Sequence, residues 1–370
     1  MGFAETYARG RRVAVENPIG IVVLVVVAVL AVDLARGLAT GRVPVSRVGS
    51  LVWDGLMRGL VIGLAGIGLS MTYSILNFAN FAHGDFITGG AFAGWATTYL
   101  LAGAGSADVG ALLLVGAGGS VFGGALGVGI TTTPVAVLAG VLVAGTATVG
   151  LALLADRLAF APIRDAGGIS LLITSVGVAF ALRYLIQFVF GPSTRGTTAA
   201  SAVPKFPLYL IDGFVRIDAH DLALLVIAGG LMIGVHLVLQ TTKLGKAMRA
   251  MSDNKDLARI TGIPAERVVT ATWVMGGGLA GVAGYVLVLW KGTISFNDGW
   301  LLLLLIFAAV ILGGIGSIYG AIAGGVVIGL TYSLSVIWIP STFARAAAFL
   351  VMIVVLLVRP QGIFAGRTTA

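Results

Sequence analysis

From end to end the chain repeats one pattern: a long apolar run, a short polar break, then another apolar run. A helix needs about 20 residues to cross ~30 Å of hydrocarbon. On that ruler eleven segments qualify: 18–35, 52–72, 86–103, 108–130, 134–155, 169–190, 219–240, 269–290, 300–316, 320–338 and 343–358. No stretch between them is long enough to fold as a soluble domain of its own. The first follows Arg11 and Arg12 and lacks a clean small-x-small cleavage site, so it reads as a retained anchor.

Of the 370 residues, 58% are apolar and 10% charged. An ordinary soluble domain carries about 25% charged residues, so soluble enzymes and disordered chains are both excluded. Strict apolar–polar alternation is missing, which excludes an outer-membrane barrel. The expectation is an all-α fold, a polytopic transmembrane helix bundle of about 9–11 membrane segments. At least one helix should be broken or re-entrant: Gly313, Gly314 and Gly316 make 300–338 either two full spans or shorter broken pieces, and Gly84 permits a break after 77–83.

With no cysteine, disulfides and thiolate chemistry are impossible. The net charge of +8 comes from basic residues in the loops, the ordinary positive-inside pattern, so no nucleic-acid partner is implied. Loop 241–268 carries Lys243, Lys246, Arg249, Lys255, Arg259 and Arg267, which places it in the cytoplasm. The tail with Arg359 and Arg367 falls on the same side. Counting every segment as a crossing adds loop 156–165 and loop 36–47 to that side and puts the N-terminal tail opposite.

No catalytic engine is recognisable. The phosphate-binding pattern G-x-x-x-x-G-K-[ST] is missing, as are H-E-x-x-H and G-x-S-x-G, and His83, His220 and His236 are far apart in sequence. No catalytic residue, metal site or cofactor is expected.

Three constellations remain. Residues 77–85 read Asn-Phe-Ala-Asn-Phe-Ala-His-Gly-Asp between two apolar segments. On a helix Asn77, Asn80 and His83 would share a face, with Gly84 permitting a break. The block suits either a transport pathway or an interfacial loop with Asp85 capping the next helix. In 241–268, Leu244, Ala247, Met248 and Met251 sit at helical spacing among charges. Asp253 can cap a second short helix and Gly262 can end it. Such an insertion suits protein docking or the lipid headgroups. The third block holds Gly313, Gly314, Gly316, Ser317 and Gly320, which fits close helix packing or a flexible element beside a pathway.

Together these blocks resemble the permease subunit of branched-chain amino acid ABC importers, the LivH type. Residues 77–85, after Met71-Thr72-Tyr73, look like that family's N-F-A-H-G-[ED] block. Residues 243–263 look like its cytoplasmic coupling loop, with L-G-x-A-x-R-A followed by A-x-x-x-G-I. Residues 308–321 look like its A-x-V-L-G-G-x-G-S-x-x-G-A block, and 156–164 resemble its loop with a Pro-x-Arg ending. Departures are Tyr319 where the family usually has Pro, Asp85 for the commoner Glu, and Thr331 in a segment where an acidic residue is often found.

The resemblance implies a permease domain over 51–365 with its coupling loop at 241–268. It leaves 1–50 as a tail with an extra anchor and 366–370 as a C-terminal tail. It further implies a multi-pass protein of a prokaryotic plasma membrane, in contact with membrane lipid. Expected partners are a second permease subunit of the LivM type, two cytoplasmic ABC ATPase subunits and an external substrate-binding protein. ATP hydrolysis would belong to the ATPases. Pathway residues would be Asn77, Asn80, His83, Asp85, Gly313, Gly314, Gly316 and Ser317. Coupling residues would be Lys243, Gly245, Arg249, Ala250, Asp253, Ala258, Arg259 and Gly262. Branched-chain amino acids are the expected cargo; urea, short-chain amides or another small polar solute are the alternative. The rival classes are a stand-alone channel or secondary transporter and a membrane-embedded enzyme, which would need a convergent ionisable cluster.

Overall fold

The computed structural model describes residues 18–104, 128–198 and 203–363. The N-terminal tail, most of segment 108–130 and the tail 366–370 lie outside the described residues. Helix α1 covers Pro18–Ala39, α2 Val45–Leu76, α3 His83–Ala102 and α4 Pro134–Ala155. Then come α5 at Gly168–Phe190, α6 at Ala219–Thr241, α7 at Lys243–Asp253 and α8 at Lys255–Ile260. Helices α9 at Ala265–Lys291, α10 at Asp298–Gly313, α11 at Ile318–Leu334 and α12 at Ala344–Val358 complete the order. The other ten expected segments all fall on these helices. Seven helical stretches among the described residues are long and apolar enough to cross a membrane, so the chain is an all-α polytopic bundle.

Small residues set the packing. Lipid tails are as apolar as Leu, so helices in a bilayer associate through close van der Waals contact and not through a hydrophobic drive. Gly55 and Gly59 of α2 lie against Gly329 and Gly325 of α11, and Gly68 against Gly276 of α9. Gly90 of α3 meets Gly281 of α9, which in turn meets Ala144 and Thr148 of α4. Hydroxyls tie the same seams: Thr98 donates to the Ala136 carbonyl at 3.2 Å and bonds the Tyr285 hydroxyl. By contrast α1, α5 and α12 expose Leu24, Ile169, Phe188 and Leu350, as lipid-facing helices do.

The bundle has two distinct ends. At one, β2 (Lys205–Leu210) pairs antiparallel with β3 (Gly213–Asp218). Beside that hairpin, β1 (Arg195–Gly196) pairs with β4 (Thr293–Ile294). The hairpin turn is fastened to the start of α2: the Asp212 carboxylate accepts the backbone N–H of Ser46 at 2.8 Å and that of Val45. At the other end lie α7, α8 and the turn between α10 and α11, where Ile363 N–H reaches the Leu312 carbonyl.

This arrangement corrects two expectations. Residues 156–165 are not a loop: α4 continues through a π-turn at Asp156–Phe160 and a 3-10 turn at Ala161–Ala166. There Arg164 bonds both Asp156 oxygens, at 2.8 and 2.9 Å, and Glu266 at 2.6 Å, so it does share the end with loop 241–268. Loop 36–47, however, belongs to the hairpin end, because α2 starts there. The sequence count relied on every segment crossing once, 108–130 included, and that parity does not hold for the loop before α2.

A Cβ at position 281 would run into the Ala144 carbonyl and the Thr148 side chain, whereas at Gly229 on α6 it meets open space. Gly281→Ala should therefore destabilise the chain by about 1–3 kcal/mol through overpacking, while Gly229→Ala should be neutral or slightly stabilising. Thermal unfolding of the detergent-purified variants checks the contrast. The Ser46 and Val45 amides hold the Asp212 carboxyl below its usual range. A depressed pKa stabilises above the ordinary carboxylate value and is lost as pH falls through the lowered one. The protection of the Val45 and Ser46 amides from hydrogen exchange, relative to their intrinsic rates at each pH, should accordingly be lost only in acid, and Asp212→Asn should show reduced protection already at neutral pH.

Candidate functional site

The helix break comes first. Helix α2 stops where Asn77 turns left-handed, φ 55°, a conformation Asn tolerates better than other side chains. Its N–H still bonds the Tyr73 carbonyl at 2.8 Å. The chain then climbs alongside α5. Position 168 adjoins the Asn77 carbonyl, and Phe81 N–H donates to Ser175 Oγ at 3.0 Å. Helix α3 opens at His83, whose Nε2 pairs with the Ala65 carbonyl at 2.9 Å. Ala65 lies 76 − 65 = 11 residues before the end of α2, so α3 begins roughly 16 Å inside the bundle at 1.5 Å per residue. This is the expected broken helix.

The partners differ from those the sequence suggested. Residues 77–82 are not helical, so Asn77, Asn80 and His83 do not share a helix face. Asn77 is exposed, whereas Asn80, His83 and Asp85 are buried. Asn80 Oδ1 accepts from Ala82 N–H at 3.0 Å, and its Nδ2 is buried without a partner. Asp85 does not cap α3, whose N-cap is Ala82. It sits in the first turn and binds Arg183 of α5 through two hydrogen bonds of 3.1 and 2.9 Å. The Arg183 guanidinium also lies over the Trp300 ring at 4.1 Å. Sequence reading passed over Arg183, although a cation inside segment 169–190 signals a buried partner.

The glycine block forms the turn between α10 and α11. Gly314 and Gly316 have φ values of 102° and 88°, and Gly313 packs against Gly320. Ser317 caps α11 by accepting from Gly320 N–H at 3.0 Å.

At the same end, Thr242 caps α7 by accepting from Gly245 N–H at 3.1 Å. Gly245 lies against the Leu239 backbone with no room for a Cβ. Met248 and Met251 are buried, with Leu244, Ala247 and Ala250 packed beside them, so the amphipathic spacing works as expected. Asn254, not Asp253, caps α8: its Oδ1 accepts from Leu257 N–H at 2.9 Å. Gly262 ends α8 with φ 86°, and Ile263 N–H bonds the Ala258 carbonyl at 3.1 Å. Ala258 is buried, Arg249 bonds Gln240, and Lys243, Asp253 and Arg259 are exposed. So are Leu257 and Ile260, the latter 82% exposed. A small cavity joins these parts, with Met71, Ser74 and Ile75 of α2, Met248 and Ser252 of α7, and Gly316 on its wall. Among the described residues no group of side chains could hold a metal ion.

The structure is a membrane-crossing helix bundle with a break inside it and a capped helix pair at its basic end. Residues 51–358 match the family described as the permease component of the branched-chain amino acid transport system, and the chain belongs to that family. It is similar to the high-affinity branched-chain amino acid transport system permease LivH of Salmonella typhimurium, 26% identical over 84% of this chain and 94% of the relative. It is similar also to BraD of Pseudomonas aeruginosa, 26% identical over 84% and 93%. A probable LivH of Methanocaldococcus jannaschii is 28% identical over 85% and 90%. No solved structure matches. The chain is thus a multi-pass plasma-membrane permease component, and that family is not one of enzymes.

Removing one member of a buried ion pair typically costs about 3–5 kcal/mol, because the other charge stays behind unpaired. Asp85→Asn should therefore be strongly destabilising, where a simple cap would tolerate it. Replacing Asp85 and Arg183 together should recover much of the loss. A double-mutant cycle on thermal stability measures the coupling.

Proposed function

We propose that this chain is the LivH-type permease subunit of an ATP-driven importer of branched-chain amino acids. The match to the permease family over 51–358 carries the reading. In it, a second permease subunit of the LivM type completes the membrane pathway, two cytoplasmic ABC ATPases bind and hydrolyse ATP, and a binding protein delivers cargo at the hairpin end. The basic composition of loop 241–268 supports the cytoplasmic assignment of the opposite end.

Helices α7 and α8 are the proposed ATPase docking element, with Lys243, Gly245, Arg249, Ala250, Asp253, Ala258, Arg259 and Gly262 as its residues. Two features favour docking over a headgroup-lying helix. Both helices are individually capped, and the exposed Leu257 and Ile260 stand on the face turned away from the bundle. The proposed moving part of the pathway is the break at 77–85. Asn77 and Asn80 offer polar groups, His83 and Asp85 hold the break through Ala65 and Arg183, and Gly313, Gly314, Gly316 and Ser317 form the turn beside it.

Reconstitution with ATPases and binding protein should give ATP-dependent uptake of labelled leucine. No uptake of any branched-chain amino acid would refute the cargo assignment. Ile260→Asp combined with Leu257→Asp should abolish copurification of the ATPases while the permease stays folded. Gly262→Val should strain the α8 turn by about 1–2 kcal/mol and weaken the same association. Retention of full ATPase binding by both variants would move the docking site elsewhere.

A further inference from the structure

Another arginine lies inside an apolar segment, and unlike Arg183 it makes none of the ion pairs among the described residues. Arg58 sits on α2 near the hairpin end, half-buried, with its guanidinium 4.2 Å from the Tyr332 ring centroid and 5.2 Å from that of Trp290. Its Nε is buried without a hydrogen-bond partner. Arg345, in the first turn of α12, lies within electrostatic reach of Arg58, and its Nε is also buried and unpartnered. One turn before Arg58 on the same helix is Asp54, exposed and within electrostatic reach. None of the ion pairs among the described residues includes Asp54, Arg58 or Arg345.

A guanidinium at membrane depth is expensive, and one that packs on two rings with no carboxylate in direct contact can take an external anion. The position suits arrival from outside the bundle. Trp290 is the penultimate residue of α9, and Trp53 Nε1, beside Asp54, donates to Asp221 at the start of α6. All of these lie at the end away from α7 and α8.

We propose that Arg58, with Arg345 beside it and Asp54 one turn away, receives the zwitterionic head of an α-amino acid. The guanidinium takes the carboxylate in fork geometry, Asp54 takes the ammonium, and the Trp290 and Tyr332 rings form an apolar wall for the side chain. This deepens the importer reading and rests on it. The phosphate of a lipid headgroup shares the carboxylate's chemistry, and the test separates the two sources.

The test uses the complete complex of permeases, ATPases and binding protein in proteoliposomes, with leucine uptake normalised to assembled complex. Arg58→Gln should cut uptake about tenfold or more, the usual consequence of losing one partner of a desolvated charge pair. Arg58→Lys should restore part of it, and Asp54→Asn and Arg345→Gln should each lower it less. Unchanged uptake by Arg58→Gln overturns the proposal. So does a defect seen in vesicles of anionic phosphatidylglycerol but not in neutral phosphatidylcholine, which assigns the arginine to lipid. Should Arg58→Gln fail to assemble, normal uptake by both Asp54→Asn and Arg345→Gln overturns it instead. Failure of the unmutated complex to import leucine refutes the importer reading and is visible before any variant is made.

Discussion

A helix that begins in the middle of a membrane bundle must satisfy its first backbone N–H groups without water. Helix α3 is in that position, and much of the fold answers to it. Residues 80–86 bond locally: Ala82 N–H to Asn80 Oδ1, His83 N–H to the Asn80 carbonyl, and Asp85 and Phe86 N–H to the Ala82 carbonyl. The neighbouring Phe81 N–H goes to Ser175. Asp85 in the first turn places a carboxylate at the positive end of the helix dipole. That carboxylate in turn demands Arg183, which fixes α5 against α3. The glycine seams then close α4, α9 and α2 around the break, since irregular backbone at this depth has to be buried in protein.

The positions of ten helices were legible because the apolar runs are long and their flanks polar. The amphipathic pattern of α7 and the ending of α8 at Gly262 were legible for similar local reasons. Depth was not. The block 77–85 has the spacing of a polar helical face, but a climbing extended segment uses the same residues, and periodicity does not tell which one tertiary packing selects. The role of Asp85 was missed because a carboxylate at a helix start has an adequate local explanation as a cap. Its partner lies 98 residues on, in a segment read only for hydrophobicity. The sidedness of loop 36–47 failed for another reason. Parity carries one miscounted segment through to every loop on one side of it.

The basic end and the break are physically continuous. Met248 and Ser252 of α7 share a cavity with the last turn of α2, and Asn77, just beyond it, is the left-handed residue where the chain turns upward. Under the proposed coupling, a shift of α7 would act on the end of α2, the segment that leads into α3. Packed interiors transmit such shifts because they are close to incompressible. Under the proposed coupling this is the route by which ATPase movement reaches the middle of the bundle. One end of that route is the Asp85–Arg183 pair, and beside the other is the glycine turn at 314–317.

Arg183 and Arg58 show how burial cost sorts structure from function. Arg183 is met by a bidentate carboxylate and a tryptophan face, so its charge is spent inside the subunit and leaves nothing for a ligand. Arg58 has two ring faces and, one turn away, the exposed Asp54 carboxylate, with which it makes no ion pair. Rings stabilise a cation by about 0.5–2 kcal/mol, less than the several kcal/mol that desolvating an ion costs. Asp54 offsets part of the shortfall at a distance; an external anion or a partly wet site covers the rest, and Arg58 is half-buried, which permits both. A guanidinium with a fully satisfied internal partner binds a passing carboxylate poorly; one with a deficit binds it well but not tightly, since water competes for the same fork. Weak, reversible capture of that kind is what a permease needs from a residue at its mouth, because cargo that is held firmly is not carried onward.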